Sequence, residues 1–242
     1  MKILFELELQ KNKIRTYVAA SLAIAFTMLG FLYLFAYAPM LEPNDKDMAI
    51  FSGYHNLIPL FGVLNMAVFC VLSAVMYSKF IIEDYTGKRI ILLFSYPVSR
   101  KKILLSKLGI VCLFTVISMT VSNIAIFLIF GLTEQFIHLV NESFTLFILA
   151  QAIEITLIMS FIAASIGIIS AGIGFIKKSV PPTIVSAVLI ASLLCNIVVN
   201  ATANKAVMYL FAIVILSIAF IVSILLMKQW GRLPFPQPAR SR

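Results

Sequence analysis

Six apolar runs, each long enough to cross a lipid bilayer, leave this chain very few ways to fold. They occupy roughly residues 16–38, 57–78, 108–132, 144–175, 182–199 and 206–227. A bilayer core takes about 20 apolar residues of helix to cross. Hydrocarbon offers no partner to a backbone N–H or C=O, so each run must satisfy its own backbone as a helix. The predicted fold class is therefore all-α: a polytopic membrane protein with six transmembrane helices in a single domain over 1–242. Composition agrees. The chain is 62% hydrophobic and only 12% charged, where a soluble domain is about a quarter charged. The fourth run is long for a straight span, so it either tilts or begins with an interfacial turn. The first run ends near an Ala36-Tyr37-Ala38 triplet. Yet it is well beyond the 7–15 residues of a signal-peptide core. It reads as an uncleaved span.

The net charge of +9 does not point to nucleic acid, because the basic residues gather at the ends of the apolar runs as topology signals do. With the N-terminus inside, 17 of the 19 lysines and arginines fall on the cytoplasmic side. Only Lys46 and Lys205 fall outside, beside Glu42, Asp45, Asp47, Glu134 and Glu142. The expected setting is the plasma membrane, with both termini cytoplasmic.

Little else in the sequence carries chemistry. Cys70, Cys112 and Cys195 sit inside apolar runs, with no CxxC or Cys/His spacing, and read as packing residues. His55 and His138 lie in outer loops without a second ligand nearby. No H-E-x-x-H occurs, so neither a metal site nor a catalytic residue is expected. Residues 1–15 place Ile3, Leu4, Leu7 and Ile14 on roughly one helical face. They read either as a short interfacial helix or as a charged anchor. Residues 228–242 form a basic tail whose prolines cannot continue the last helix.

The one long interruption is the loop 79–107, KFIIEDYTGKRIILLFSYPVSRKKILLSK. Ile82, Tyr85, Leu92, Leu93 and Tyr96 recur at helical spacing on one face. Glu83, Asp84, Lys88 and Ser95 take the others. Thr86-Gly87 breaks the run, Pro97 ends it, and Ser99 can cap a helix opening with Arg100, Lys101 and Lys102. This reads as one or two short helices parallel to the membrane. They rest either on lipid headgroups or on a protein partner, which the acids at 83 and 84 and the exposed aromatics suit better.

Those residues, with the stretch Phe94-Ser-Tyr-Pro-Val-Ser-Arg-Lys-Lys-Ile-Leu-Leu-Ser-Lys107, resemble the cytoplasmic loop of ABC-2 type transporter permeases. The six-span layout is similar to that family as well. The resemblance implies a coupling segment over Ile82, Glu83, Asp84, Tyr85, Thr86, Gly87, Lys88 and Arg89. It implies a turn into the third span through Tyr96, Pro97, Ser99 and Arg100. In one respect the pattern departs: Thr86 precedes Gly87, where the family more often has the reverse order. The implied partners are two copies of a cytoplasmic ABC ATPase, a second permease copy as a homodimer or a related permease, and the lipid bilayer, with no nucleic acid. ATP and Mg would be held by the ATPase. This fits a sequence lacking a G-x-x-x-x-G-K-[ST] phosphate loop. The implied function is a non-catalytic permease subunit of an exporter for an amphipathic or hydrophobic substrate, such as a peptide, including self-protection against antimicrobial peptides.

Glu154, with Gln151 one turn before it, reads as the only ionisable residue within a span. It is a candidate substrate or ion contact or, more blandly, a paired acid holding helices together. An ATP-independent secondary transporter using Glu154, or a scaffold subunit, is the alternative function. Ala163, Gly167 and Ala171 recur at four-residue spacing and read as a helix-packing face.

Overall fold

A computed structural model of the chain describes residues 14–41, 51, 53–83, 100–137, 139–140, 144–202 and 204–231. Among them there are six long helices and no strand: α1 (Ile14–Leu41), α2 (Tyr54–Tyr77), α3 (Arg100–Ile137), α4 (Leu146–Lys177), α5 (Val180–Thr202) and α6 (Lys205–Gly231). All six are long and apolar enough to cross a membrane. The chain is a multi-pass membrane protein.

Five of the six helices are longer than the apolar runs that announced them, and α4 has the same length, shifted two residues along the chain. α3 gains most: its helix opens at Arg100, as the Ser99 cap and the basic run after it predict, eight residues before the apolar run begins. α4 starts at Leu146 with no interfacial turn: the Thr145 side chain accepts from the Ile148 N–H at 3.4 Å and caps the helix directly. Ile14 and Arg15, expected in an interfacial helix, are instead the first residues of α1. Residues 1–13 and the tail beyond 231 lie outside the described residues.

α4 is the centre of the bundle. It packs on α2, α3, α5 and α6, while α1 leans on α2 and α3. Lipid tails are as apolar as leucine, so burial from water does not drive helix against helix here. Close van der Waals packing does. Small residues supply it. Gly62 of α2 faces Ile155 and Met159, Gly167 of α4 lies against Ser73 and Tyr77, and Gly174 of α4 lies against Thr183 and Ile82. Most span hydroxyls are disposed of locally: Thr115, Ser165 and Ser170 each donate to the carbonyl four residues back.

Successive helices alternate in direction, so the bundle has two ends. One, the basic end, carries the starts of α1, α3 and α5 and the finishes of α2, α4 and α6. Arg15, Lys79, Lys101, Lys102, Lys177, Lys178 and Lys228 are exposed there. α4 turns into α5 at this end through Lys178 and Ser179 alone. Lys178 adopts φ 49°, and its N–H and that of Ser179 close the last turn on Phe175 and Gly174 carbonyls. The far end is aromatic: Tyr54 packs edge-on against Phe130 and Phe144, and Tyr33 against Phe130.

Candidate functional site at the basic end

The site is built where α2 stops being an α-helix. From Ser78 to Ile82 the chain forms a π-helical turn, and the Glu83 N–H reaches back five residues to the Ser78 carbonyl. Such turns cost regular hydrogen-bond geometry and are concentrated at functional positions. This one is the last described structure before the segment 84–99. On the other side of that segment, Arg100 opens α3.

The two flanks of the segment are fastened together by polar bonds in an apolar setting. Lys107 is 0% exposed. Its Nζ donates to the Phe80 carbonyl at 2.7 Å, in the middle of the π turn. One turn earlier on α2, the buried Tyr77 hydroxyl donates to the Leu108 carbonyl at 3.2 Å. Around these bonds lies a second apolar core, distinct from the larger one towards the far end. It comprises Met76, Tyr77, Phe80 and Ile81 of α2 and its π turn, Leu104, Leu108, Ile110 and Val111 of α3, Ala171 of α4 and Leu226 of α6. Tyr17 of α1 lays its ring 5.9 Å from that of Phe80. Thus α1, α3, α4 and α6 converge on the turn that leads into the loop.

The expected coupling residues divide between the described and the undescribed. Ile82 is buried at the end of the π turn. Glu83 follows it, and its carboxylate pairs with Lys79 one turn back at 2.7 Å. Asp84, Tyr85, Thr86, Gly87, Lys88, Arg89, Tyr96, Pro97 and Ser99 lie outside the described residues. Arg100 is the first residue of α3.

Glu154 is at the opposite end of the molecule. Its carboxylate accepts from Lys205 Nζ at 2.9 Å and from Tyr209 Oη at 2.5 Å, both on the first turns of α6. The geometry is that of a paired acid bracing α4 against α6. The donors come from α6 rather than from Gln151, which is half-buried. Glu154 is also not the only ionisable residue within a long helix, as the sequence suggested. Lys107 and Glu134 belong to α3 and are both buried. Glu134 Oε1 accepts from the Val140 N–H at 2.6 Å and closes the far end of α3. Ala163, Gly167 and Ala171 are all buried on α4, with Gly167 facing α2.

Two features escaped the sequence reading. Lys107 was counted as a topology signal, a tally that takes no account of depth. The other is a buried amide chain across three helices: Asn65 Nδ2 of α2 donates to Asn123 Oδ1 of α3, and Asn123 Nδ2 donates to Thr156 Oγ1 of α4 at 3.2 Å. Two asparagines inside long apolar runs were the available signal, since such groups seek each other across helix interfaces.

The family model for ABC-2 family transporter proteins matches residues 4–193 of the chain. The chain belongs to the ABC-2 transporter family. A curated protein of Bacillus subtilis (strain 168), designated uncharacterized protein YcbO, is 32% identical over 193 residues, covering 80% of this chain and 83% of that protein. No solved structure matches. Family membership makes the bundle a membrane transport component. An ABC-2 protein typically works in the bilayer with an ABC ATPase.

Proposed function

We propose that this ABC-2 protein is the permease subunit of an ATP-driven exporter, and that the segment between α2 and α3 receives the force of a separate ATPase. The observation that carries the reading is the anchoring of that segment. Its two flanks are bonded to each other through Lys107 and Tyr77 and set in the core where the helices of the basic end converge. A push on a loop so rooted is passed to the bundle as rigid-body tilt rather than lost in a tether. The absence of a phosphate-loop motif from the sequence supports an ATPase on another polypeptide.

The lysine and arginine distribution supports a cytoplasmic basic end, with the far end outside. Two permease copies and two ATPase subunits form the working unit, ATP and Mg being held by the ATPases. The substrate is amphipathic or hydrophobic, a peptide being the favoured class. At the far end a mostly apolar cleft of about 290 Å³ between α2 and α5 is lined by Phe51, His55, Asn56, Pro59, Leu60, Val199 and Thr202. Such a lining suits that cargo better than a sugar.

The test is to purify the chain from its own cells in mild detergent and identify what accompanies it. An ABC ATPase should co-purify and hydrolyse ATP, and Glu83→Lys with Tyr85→Ala should release it. Transport by the chain alone in vesicles, without ATP or an ATPase, would overturn the reading.

A further inference from the structure

Lys107 is unlike the other lysines of the basic end whose side chains are described. Lys79, Lys101, Lys102, Lys177, Lys178 and Lys228 are exposed, as residues that mark topology or meet headgroups should be. A lysine this near a helix end normally runs its stem along the surface and lifts its ammonium to water. Lys107 instead turns inward and places its ammonium on a main-chain carbonyl of another helix. Burying an ammonium is costly unless it is well bonded, so the position is a demanding one for a residue that served only to fill space.

The carbonyl it chooses belongs to the π turn. A π turn differs from an α turn by one residue held out of the ladder. Restoring the α ladder there would rotate everything beyond it by roughly 100° and shift it along the axis by about 1.5 Å. The Phe80 carbonyl lies within that turn, and the charged donor on it adds a bond to the π form. The Tyr77 hydroxyl bond to Leu108, just upstream, fixes α2 to α3 immediately before the switchable stretch.

We infer that Lys107 is the positioning residue for energy coupling, its ammonium holding the Ser78–Ile82 turn in the π form so that force arriving at Glu83 drives α2 instead of being absorbed at the junction. The inference rests on the proposed coupling to an ATPase. A residue that merely glued α2 to α3 would, on removal, lower stability and every activity together. A coupling residue, on removal, leaves ATP hydrolysis intact and disconnects it from the bundle.

The experiment uses the full chain with its co-purified ATPase in lipid nanodiscs, comparing wild type, Lys107→Met and Lys107→Arg. Two readouts are taken: ATP hydrolysis, and the ATP-induced change in deuterium uptake in the far-end half of α2. Lys107→Met should keep hydrolysis within about twofold of wild type while the ATP-induced change falls at least about fivefold, and Lys107→Arg should restore half or more of it. A wild-type response in Lys107→Met, or equal loss of both readouts in Met and Arg variants, would overturn the inference. Should Lys107→Met fail to assemble, Tyr77→Phe removes only a hydroxyl. It should weaken the response while leaving hydrolysis unchanged, and an undiminished response would count against the inference. If no ATPase accompanies even the wild-type chain, the proposed function fails separately. Then uptake at residues 78–83 of the isolated chain decides: it should rise in Lys107→Met, and no change would overturn the role of Lys107.

Discussion

Lys107 and Lys205 show how differently the two ends of this bundle are built. Lys107 is fully buried and bonded to a backbone carbonyl at the basic end. Lys205 keeps 63% of its side chain exposed and pairs with a Glu154 that is 31% exposed, at the far end. The first bond sits among glycines and in an apolar core shared by several helices. The second can be replaced by water or by lipid headgroups. The basic end is therefore the stiff end, where a small change has nowhere to go. At the far end the aromatic packing includes rings that are only partly buried, Tyr33 and Phe144 among them.

The largest effect that sharpens this contrast is steric. A Cβ at Gly174 would fall on Thr183 Oγ1 and within 2.6 Å of Ile82 Cδ1. Gly174→Val should therefore cost about 3 kcal/mol, the upper part of the range for overpacked cores, read as a lowered unfolding temperature in detergent. The matching change at the far end is Gly131→Ala, whose Cβ would come closest to the Phe144 ring, at 2.5 Å. That ring can rotate away, so the loss should stay below about 1 kcal/mol. Equal losses at the two sites would break the comparison.

Next in size is the buried amide chain between the ends. Asn123→Leu removes both of its bonds and strands the Asn65 amide. A loss of about 1–2 kcal/mol is expected. The double variant with Asn65→Leu should lose less than the sum of the two single losses, because neither then leaves an unpaired partner.

A gain is expected at the turn between α4 and α5. Lys178 is the only non-glycine residue with positive φ among those described. Lys178→Gly relieves the side-chain clash of that conformation and should stabilise the bundle by about 0.5–1 kcal/mol. The smallest effect belongs to the exposed pair. Glu154→Gln should leave the unfolding temperature unchanged within error. Transport should also continue, since Glu154 already spends its carboxylate on Lys205 and Tyr209. Abolished transport with an intact fold would restore Glu154 as a substrate or ion contact.

The six helices were legible because apolar length is a one-dimensional signal and the bilayer sets its scale. Their ends were less so. The helix opening at Arg100 was legible in the Ser99 cap and the basic run after it, but the span was placed from 108 onward, and Lys107 has been taken into the core. Counting lysines reports which side of a membrane a segment keeps, and depth within a bundle is a different quantity. Glu154 stood out correctly as a charge within a span, but its partners are 51 and 55 residues away. No local pattern announces such a pairing. The small residues at 163, 167 and 171 could be read as a face because helical periodicity places them together. Which helix they meet, α2 for Gly167, depends on tertiary packing.

The π turn at Ser78–Ile82 has a consequence for reading frames along the helix. It has the form of a one-residue insertion, and the residues after it are out of phase with those before. A helical wheel drawn from α2 that ignored the extra residue would place Ile82 and Glu83 on faces wrong by nearly a third of a revolution. Ile82 itself is buried in the bundle and offers no surface to a partner. Any relative that lacks the extra residue would leave α2 at Glu83 turned about its axis by that angle. Transplanting the loop between family members should therefore work only when the cut lies upstream of Ser78.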